Sequence, residues 1–432
     1  MPTQKFRVSM LIVVVVLLAP VVSSGLTHED LAVPEETNHR ADEVPIENVT
    51  FVSAQGKEFP TGQARLVAFD TATNEPIWIH SKYDRYMDVD PLGANRILFV
   101  ARDGSMDKSA FSFDVTFYAI EMNWRTGTVL KKFEIPPGTH DIDYLGNDRY
   151  AIADLSAKNR VFVYDRSEDE IVWEYRFRNH FPASAGGGPG GYTHLNDIDA
   201  VDNGSAFLVS PRNFDRVMLI DRKTKRVRWT LGEEDNYDIL NEQHNPVLLS
   251  QDPVTVLVAD SENDRVVEYE KTKSGWKRTW SYGTGLDWPR DADRLPNGNT
   301  LIVDSNNNRA LEVTPGGDVV WKVEIPFEPY DIERPVYGDE PSGPPINELR
   351  KNGTIGTKAV GQERTNVAER IDATYTYVYT TAQWVLPTWI GPLEFNLLIL
   401  AALVIGAWGA VEAFHWREWT VAKRMRFRQG DN

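Results

Sequence analysis

The sequence predicts an all-β fold, a six-bladed β-propeller, with an N-terminal signal or anchor segment and a C-terminal transmembrane helix. Three observations predict it: a hairpin-like cassette recurs six times, a second short motif follows each copy, and the step between second motifs matches one four-stranded blade.

The cassette is an apolar strand, a turn of Asp, Gly, Asn or Lys, and a strand that carries Trp or a similar apolar residue. LVAFDTATNEPIWIHS from Leu66 and VFVYDRSEDEIVWEYRF from Val161 are examples, and further copies begin at Tyr118, Val217, Val266 and Ala310. The second motif reads MDVDPL, HDIDYL, NDIDAV, HNPVLL, RDADRL and YDIERP, starting at Met87, His140, Asn196, His244, Arg290 and Tyr330. The steps are 53, 56, 48, 46 and 40 residues. Because this motif follows an outer hairpin, it predicts the innermost strand of the next blade. The last copy lacks following strands, and NVTFVSAQG from Asn48 can supply them, which closes the ring with both chain ends in one blade. The propeller is expected over residues 46–338.

The flanks read as membrane segments. Lys5 and Arg7 precede an apolar run from Met10 to Val22 and then Ser23, Ser24 and Gly25, the layout of a secretory signal or uncleaved anchor over residues 1–25. A span is expected at 384–416, rich in apolar residues and interrupted by Glu412, with Trp384, Trp389, Trp408 and Trp416 as interfacial aromatics. A basic tail, 417–432, contains Arg417, Lys423, Arg424, Arg426 and Arg428 and is placed in the cytoplasm by the positive-inside rule. The propeller is then extracytoplasmic, with residues 339–383 as a stalk rich in Pro, Gly and charge. Sequons at Asn48, Asn203 and Asn352 agree with export.

The net charge of −17 argues against a nucleic-acid partner, since phosphates would be repelled. It suits solubility or a high-salt habitat. There are no cysteines, which excludes disulfides and thiolate metal sites. No HxH or HExxH spacing points to a histidine metal centre, and no cofactor is expected.

Three of eight histidines, His140, His194 and His244, fall at or beside blade entries, where propellers open their channel. Histidine in a polar cleft serves structure or acid–base chemistry. The recurrent aspartates at 88, 141, 197, 291 and 331 read as local caps on the backbone.

Four motifs in order resemble those of the aryl-sulfate sulfotransferases: GTHDID around His140, THLND with His194 and Asn196, LVSPRNFDRVMLID with Arg212 followed by VRWTLG, and EQHNPVLL with His244. The resemblance spans roughly residues 60–335. It implies a six-bladed propeller that moves a sulfuryl group from an aryl sulfate donor to a phenolic or other hydroxyl acceptor, without a nucleotide donor. His244 is then the nucleophile that forms a sulfohistidine, Arg212 binds the sulfate oxygens, His140 and His194 donate to them or protonate the leaving phenolate, and Asn196 orients the group. The pair Asn245-Pro246 departs from the family pattern, in which small or polar residues are expected. The competing reading is a non-catalytic, membrane-tethered binding module.

Overall fold

A computed structural model describes residues 4–27, 40–56, 64–107, 112–187, 191–353 apart from 340 and 342, and 390–429, with a few isolated positions besides. The chain divides into two compact units, residues 33–365 and the terminal segments 1–32 with 366–432.

The larger unit is a six-bladed propeller of six antiparallel four-stranded sheets. Five blades are built from strands consecutive in the chain. In the first blade, Pro329–Glu333 is innermost, followed outward by Val49–Ala54, Arg65–Asp70 and Glu75–His80. Val52 pairs with Ile332, so the last strand of the ring is clasped by the first and the ring is closed by the two ends of the propeller chain. In blades two to six the innermost strands are Arg85–Pro91, Ile142–Gly146, Leu195–Val201, His244–Gln251 and Pro289–Arg294. These are the second motifs of the sequence.

Strands near the axis are covered on both faces by neighbouring blades, and Ala206–Pro211 and Pro289–Arg294 are buried at every residue. Outermost strands carry the cassette tryptophans. Trp173 and Trp280 fill gaps between wedge-shaped blades and donate their indole N–H to Arg222 and Pro315 carbonyls of the next blade (2.7 and 3.1 Å).

At the axis the recurrent aspartates bond backbone N–H groups, in part locally, as where Asp331 accepts from Ile332 N–H (2.9 Å), but chiefly across blades. Asp331 accepts from Val89 N–H (2.7 Å), Asp88 from Ile142 (3.2 Å), Asp141 from Ile198, and Asp291 from Ile332 (3.1 Å). In each case the donor is one residue beyond the equivalent aspartate of the following blade. The series breaks at the fifth blade. Its acidic position is Asn245, and the donor due to Asp197 is replaced by Pro246, which has no N–H. The departure noted in the sequence is therefore a gap in an inter-blade clasp.

The packed unit extends beyond the expected boundary at 338. Helix α2 (Ile346–Lys351) buries Ile346 and Leu349, spaced i, i+3, against Trp280, Leu311 and Val313 of the fifth and sixth blades. This part of the expected stalk is thus propeller. Residues 354–377 of it lie outside the described residues.

In the smaller unit, α1 (Gln4–Thr27) and α3 (Pro392–Gln429) are each long and apolar enough to cross a membrane, over Gln4–Ser24 and Leu393–Arg417. They pair antiparallel. Arg7 meets Glu412 (2.6 Å), and Ser24 donates to Glu394 (2.7 Å).

The clasp makes a prediction. Asp331→Ala leaves Val89 N–H buried without an acceptor and should cost about 1–3 kcal/mol, whereas Asp331→Asn keeps a carbonyl acceptor and should lose far less. Denaturant unfolding in chelator reads the difference. Equal losses would show that the carboxyl does not act as an acceptor.

Candidate active site

Each innermost-strand motif opens with the residue just before the clasp position: Met87, His140, Asn196, His244, Arg290 and Tyr330. Strict alternation would send this residue and the next to opposite faces. In five of the six strands, however, the register slips here. The slips lie between Tyr86 and Val89, Leu195 and Ile198, His244 and Pro246, Pro289 and Asp291, and opposite Ser53–Ala54, where Tyr330 is the extra residue. These bulges turn two consecutive residues toward the axis. The carboxylates line one shared cavity, and the opening residues meet one another above it in the strand order.

His140 and His194 rings are 5.4 Å apart. His140 Nδ1 is 3.1 Å from Asn196 Oδ1, while the Asn196 amide nitrogen donates to the Gln243 carbonyl (3.3 Å). The oxygen of Asn196 therefore faces His140, and His140 Nδ1 carries the proton. The same logic fixes His244. Ser261 spends its single proton on the Pro289 carbonyl (2.7 Å), so it accepts from His244 Nδ1 (2.8 Å). The lone pair of His244 is left on Nε2, which bonds nothing among the described residues. Both imidazoles are held well below the usual histidine pKa. For His140 the causes are burial and then His194, and for His244 burial and then the Arg290 and Arg212 charges.

Arg212 begins a short 3-10 turn, Arg212–Phe214. In blades three, five and six the equivalent corner starts with Asp154, Asp260 or Asp304, each tied to an arginine a few residues on (2.8, 2.7 and 2.6 Å). Blade four has Pro211 instead, which offers no carboxylate. Arg212 points its Nη1 at His194 Nε2 (3.5 Å) and pairs through Nη2 with Glu242, while its Nε is buried without a hydrogen bond. A second guanidinium, Arg290, stacks on Trp288 and Tyr330 (4.3 and 5.2 Å) and donates to Gln55 Oε1 (2.8 Å). Burial lowers its pKa to about 10, so it stays a cation at neutral pH.

Tyr330 sits between the histidines, its ring 5.8 Å from His140 and 6.4 Å from His244. Its hydroxyl is buried without a partner, and burial keeps it protonated. Trp288 lies 5.9 Å from His244. His194, Glu242, Asn245 and Trp288 hold φ of 43°, 47°, 23° and 56°, positive values in non-glycine residues.

The structure thus brings His140, His194, Asn196, Arg212 and His244 to one place. The sequence reading did not nominate Arg290, Tyr330, Trp288, Glu242 or Ser261. The first two occupy the same motif position as His140 and His244, which was the available signal. The others stand outside the motif: Glu242 and Trp288 enter from the turns between blades, and Ser261 from a turn within blade five. Chemically, the site offers an unprotonated nitrogen nucleophile, a second imidazole with a free lone pair on Nε2, two guanidinium groups and two aromatic walls.

No protein-family model and no curated protein matches the chain. Solved structures with a similar fold include a protein of unknown function from Bacteroides caccae (13% identity, TM-score 0.47, 66% of this chain and 98% of that one) and one from Desulfotomaculum acetoxidans (16%, 0.44, 69% and 88%). Another is a periplasmic gluconolactonase of Pseudomonas aeruginosa (13%, 0.40, 66% and 98%).

The tautomers are measurable. In nitrogen-15 spectra of the histidine-labelled protein at pH 6, His244 should appear neutral with its proton on Nδ1, and Ser261→Ala should remove that bias. A protonated His244 at this pH, or an Nε2–H tautomer, would refute the assignment.

Proposed function

We propose that the protein is a sulfotransferase that moves a sulfuryl group from an aryl sulfate ester to a phenolic or other hydroxyl acceptor through a sulfohistidine at His244. The observation that carries this reading is the His244–Ser261–Pro289 relay, which leaves a neutral imidazole with its lone pair on Nε2 beside two arginines.

In the first half-reaction, the bond from Nε2 to sulfur forms and the aryl oxygen–sulfur bond breaks, the electron pair leaving with the phenolate. The positive charge on the adduct is shared with Nδ1–H, which stays bonded to Ser261. In the second half, the acceptor oxygen attacks sulfur, the nitrogen–sulfur bond breaks, and its electron pair returns to His244. His140 suits the base role there, because its proton is committed to Asn196 and its Nε2 is free to accept. That changes its expected role from donor to acceptor. The proton it gains returns to the departed phenolate through solvent. Arg212 and Arg290 offer donors to the sulfuryl oxygens, and the Tyr330 hydroxyl is available to the leaving oxygen. Trp288 and Tyr330 supply flat faces for an aryl ring.

The membrane assignment rests on α1 and α3. Their antiparallel pairing puts Lys5 and Arg7 at the same end as Arg417 and the basic residues after it, which the positive-inside rule assigns to the cytoplasm. The chain between the helices, with the propeller, is then extracytoplasmic. Glu412 interrupts an apolar span and is matched by Arg7, so α1 acts as a retained anchor.

Two predictions follow from these assignments. With 4-nitrophenyl sulfate and phenol, the protein should release nitrophenolate and, with acceptor withheld, carry one SO3 on His244. His244→Ala should abolish both, and Arg212→Ala should slow transfer about 100- to 1,000-fold. The acid limb of the first half-reaction should lie below pH 6.5, because the depressed pKa keeps His244 neutral there. Failure to release nitrophenolate, or release unaffected by His244→Ala, sinks the enzyme reading. Separately, N-terminal sequencing of the membrane-extracted protein should find α1 intact, and a mature chain starting after Gly25 would refute the retained anchor.

A further inference from the structure

The innermost strands carry a second repeat beneath the histidines. Five of six read acid-x-acid: Asp88 and Asp90, Asp141 and Asp143, Asp197 and Asp199, Asp291 and Asp293, Asp331 and Glu333. The fifth blade alone has Asn245 and Val247. Residues two apart on a strand share a face, so the series makes two stacked rings of carboxylates around the axis. All of them but Asp293 line a cavity of about 20 Å³, enough for one ion or one water. Asp339, just past the last strand, joins the lining.

Four of the five acids of the first ring are explained by the inter-blade clasp. The second ring is not. Asp143 spends one oxygen on Ala200 N–H. Asp90 and Glu333, by contrast, are only 4% and 5% exposed, yet Asp90 Oδ2 and Glu333 Oε2 line the cavity with no hydrogen-bond donor. A buried carboxylate oxygen without a donor, facing other carboxylates, is costly unless a cation meets it. Asp90, Asp143 and Asp339 also place one oxygen each within 4.8 Å of one another. Oxygens around a calcium ion at about 2.3–2.6 Å lie at most about 5 Å apart.

We propose that this axial chamber binds one hard divalent cation of the calcium class, with Asp90, Asp143 and Asp339 as its carboxylate ligands and Glu333 in its lining. The size of the oxygen set favours calcium over magnesium, which demands a smaller, regular octahedron. The protonation behaviour of the lining agrees. Burial, and then repulsion from Asp339, holds the Asp90 pKa well above the usual range, and burial with Asp293 does the same for Glu333. Without a metal these groups need protons, and a cation replaces them. The ion differs from the expected absence of metal because that expectation considered only histidine and cysteine ligands. It takes no part in the proposed reaction; its role is to hold together the strands that present His140 and His244.

The test uses the full chain in detergent, stripped with chelator and then titrated with Ca²⁺. Calorimetry should find one saturable site per chain, with a rise of several degrees in the thermal midpoint and a weaker response to Mg²⁺. Asp90→Asn should weaken Ca²⁺ binding at least about tenfold, since a charged ligand is lost. In chelator the same variant should melt at or above the wild-type midpoint, because the amide is neutral where the buried carboxyl must first take up a proton. Should Asp90→Asn fail to fold, Asp339→Asn gives the same reading. No Ca²⁺-dependent shift in the wild type, or wild-type affinity in a folded variant, would overturn the site. Both readouts are independent of sulfuryl transfer, so either proposal can fail alone.

Discussion

A propeller must solve one problem before any other: six wedge-shaped sheets converge on an axis where each innermost strand has a backbone edge that no further strand can pair. Here the edge is met by side chains. A carboxylate from one blade takes the N–H of the next, from Asp331 to Val89, Asp88 to Ile142, Asp141 to Ile198 and Asp291 to Ile332. This links neighbours 41 to 242 residues apart in sequence through the same chemistry. It also sets the depth at which each strand begins, and so where the residue before each aspartate comes to rest.

That residue is the one the proposed chemistry uses. The clasp needs a carboxylate at the axis, and the bulge beside it turns the preceding side chain inward as well. Scaffold and site are therefore one feature in two adjacent positions. The fifth blade shows the coupling most clearly. It carries His244, and it is where the clasp is interrupted by Asn245 and Pro246. Losing the clasp N–H at 246 removes one inter-blade bond. It also leaves the strand entry free to adopt the φ of 23° at Asn245 that accompanies the slip behind His244.

Much of the fold was legible because it repeats. A cassette seen six times fixes blade count and innermost strands, and an incomplete last copy calls for a strand from the other end, which Val49–Ala54 supplies. His140 and His244 were legible as polar residues at the opening motif position, and His194 as a histidine two residues before it. Arg290 and Tyr330 share that position but read as ordinary members of their motifs. Ser261 was illegible for a different reason. Ser305 occupies the equivalent corner in the sixth blade and bonds the Pro329 carbonyl in the same way (2.6 Å), so only the presence of His244 beside Ser261 makes its hydroxyl matter. The aspartates misled in a specific manner: side-chain-to-backbone bonding was the right chemistry, but sequence carries no sign that the acceptor and donor belong to different blades.

The arginines raise a further point about selectivity. Arg212 is already paired with Glu242, and Glu262 nearby has its pKa raised to about 7, by burial first and then by Glu242. An entering anion must therefore compete with a carboxylate for the guanidinium. In the proposed reaction a monoanionic sulfate ester displaces that partner only where its other oxygens gain donors too, and Arg290, held by stacking and by Gln55, is placed to provide them. A lone carboxylate ligand, with two oxygens and no third, would recover less of what Glu242 already gives. Under the proposed reaction, this competition favours a three-oxygen anion carried on an aromatic group over a simple carboxylate, because only the former gains donors from both arginines.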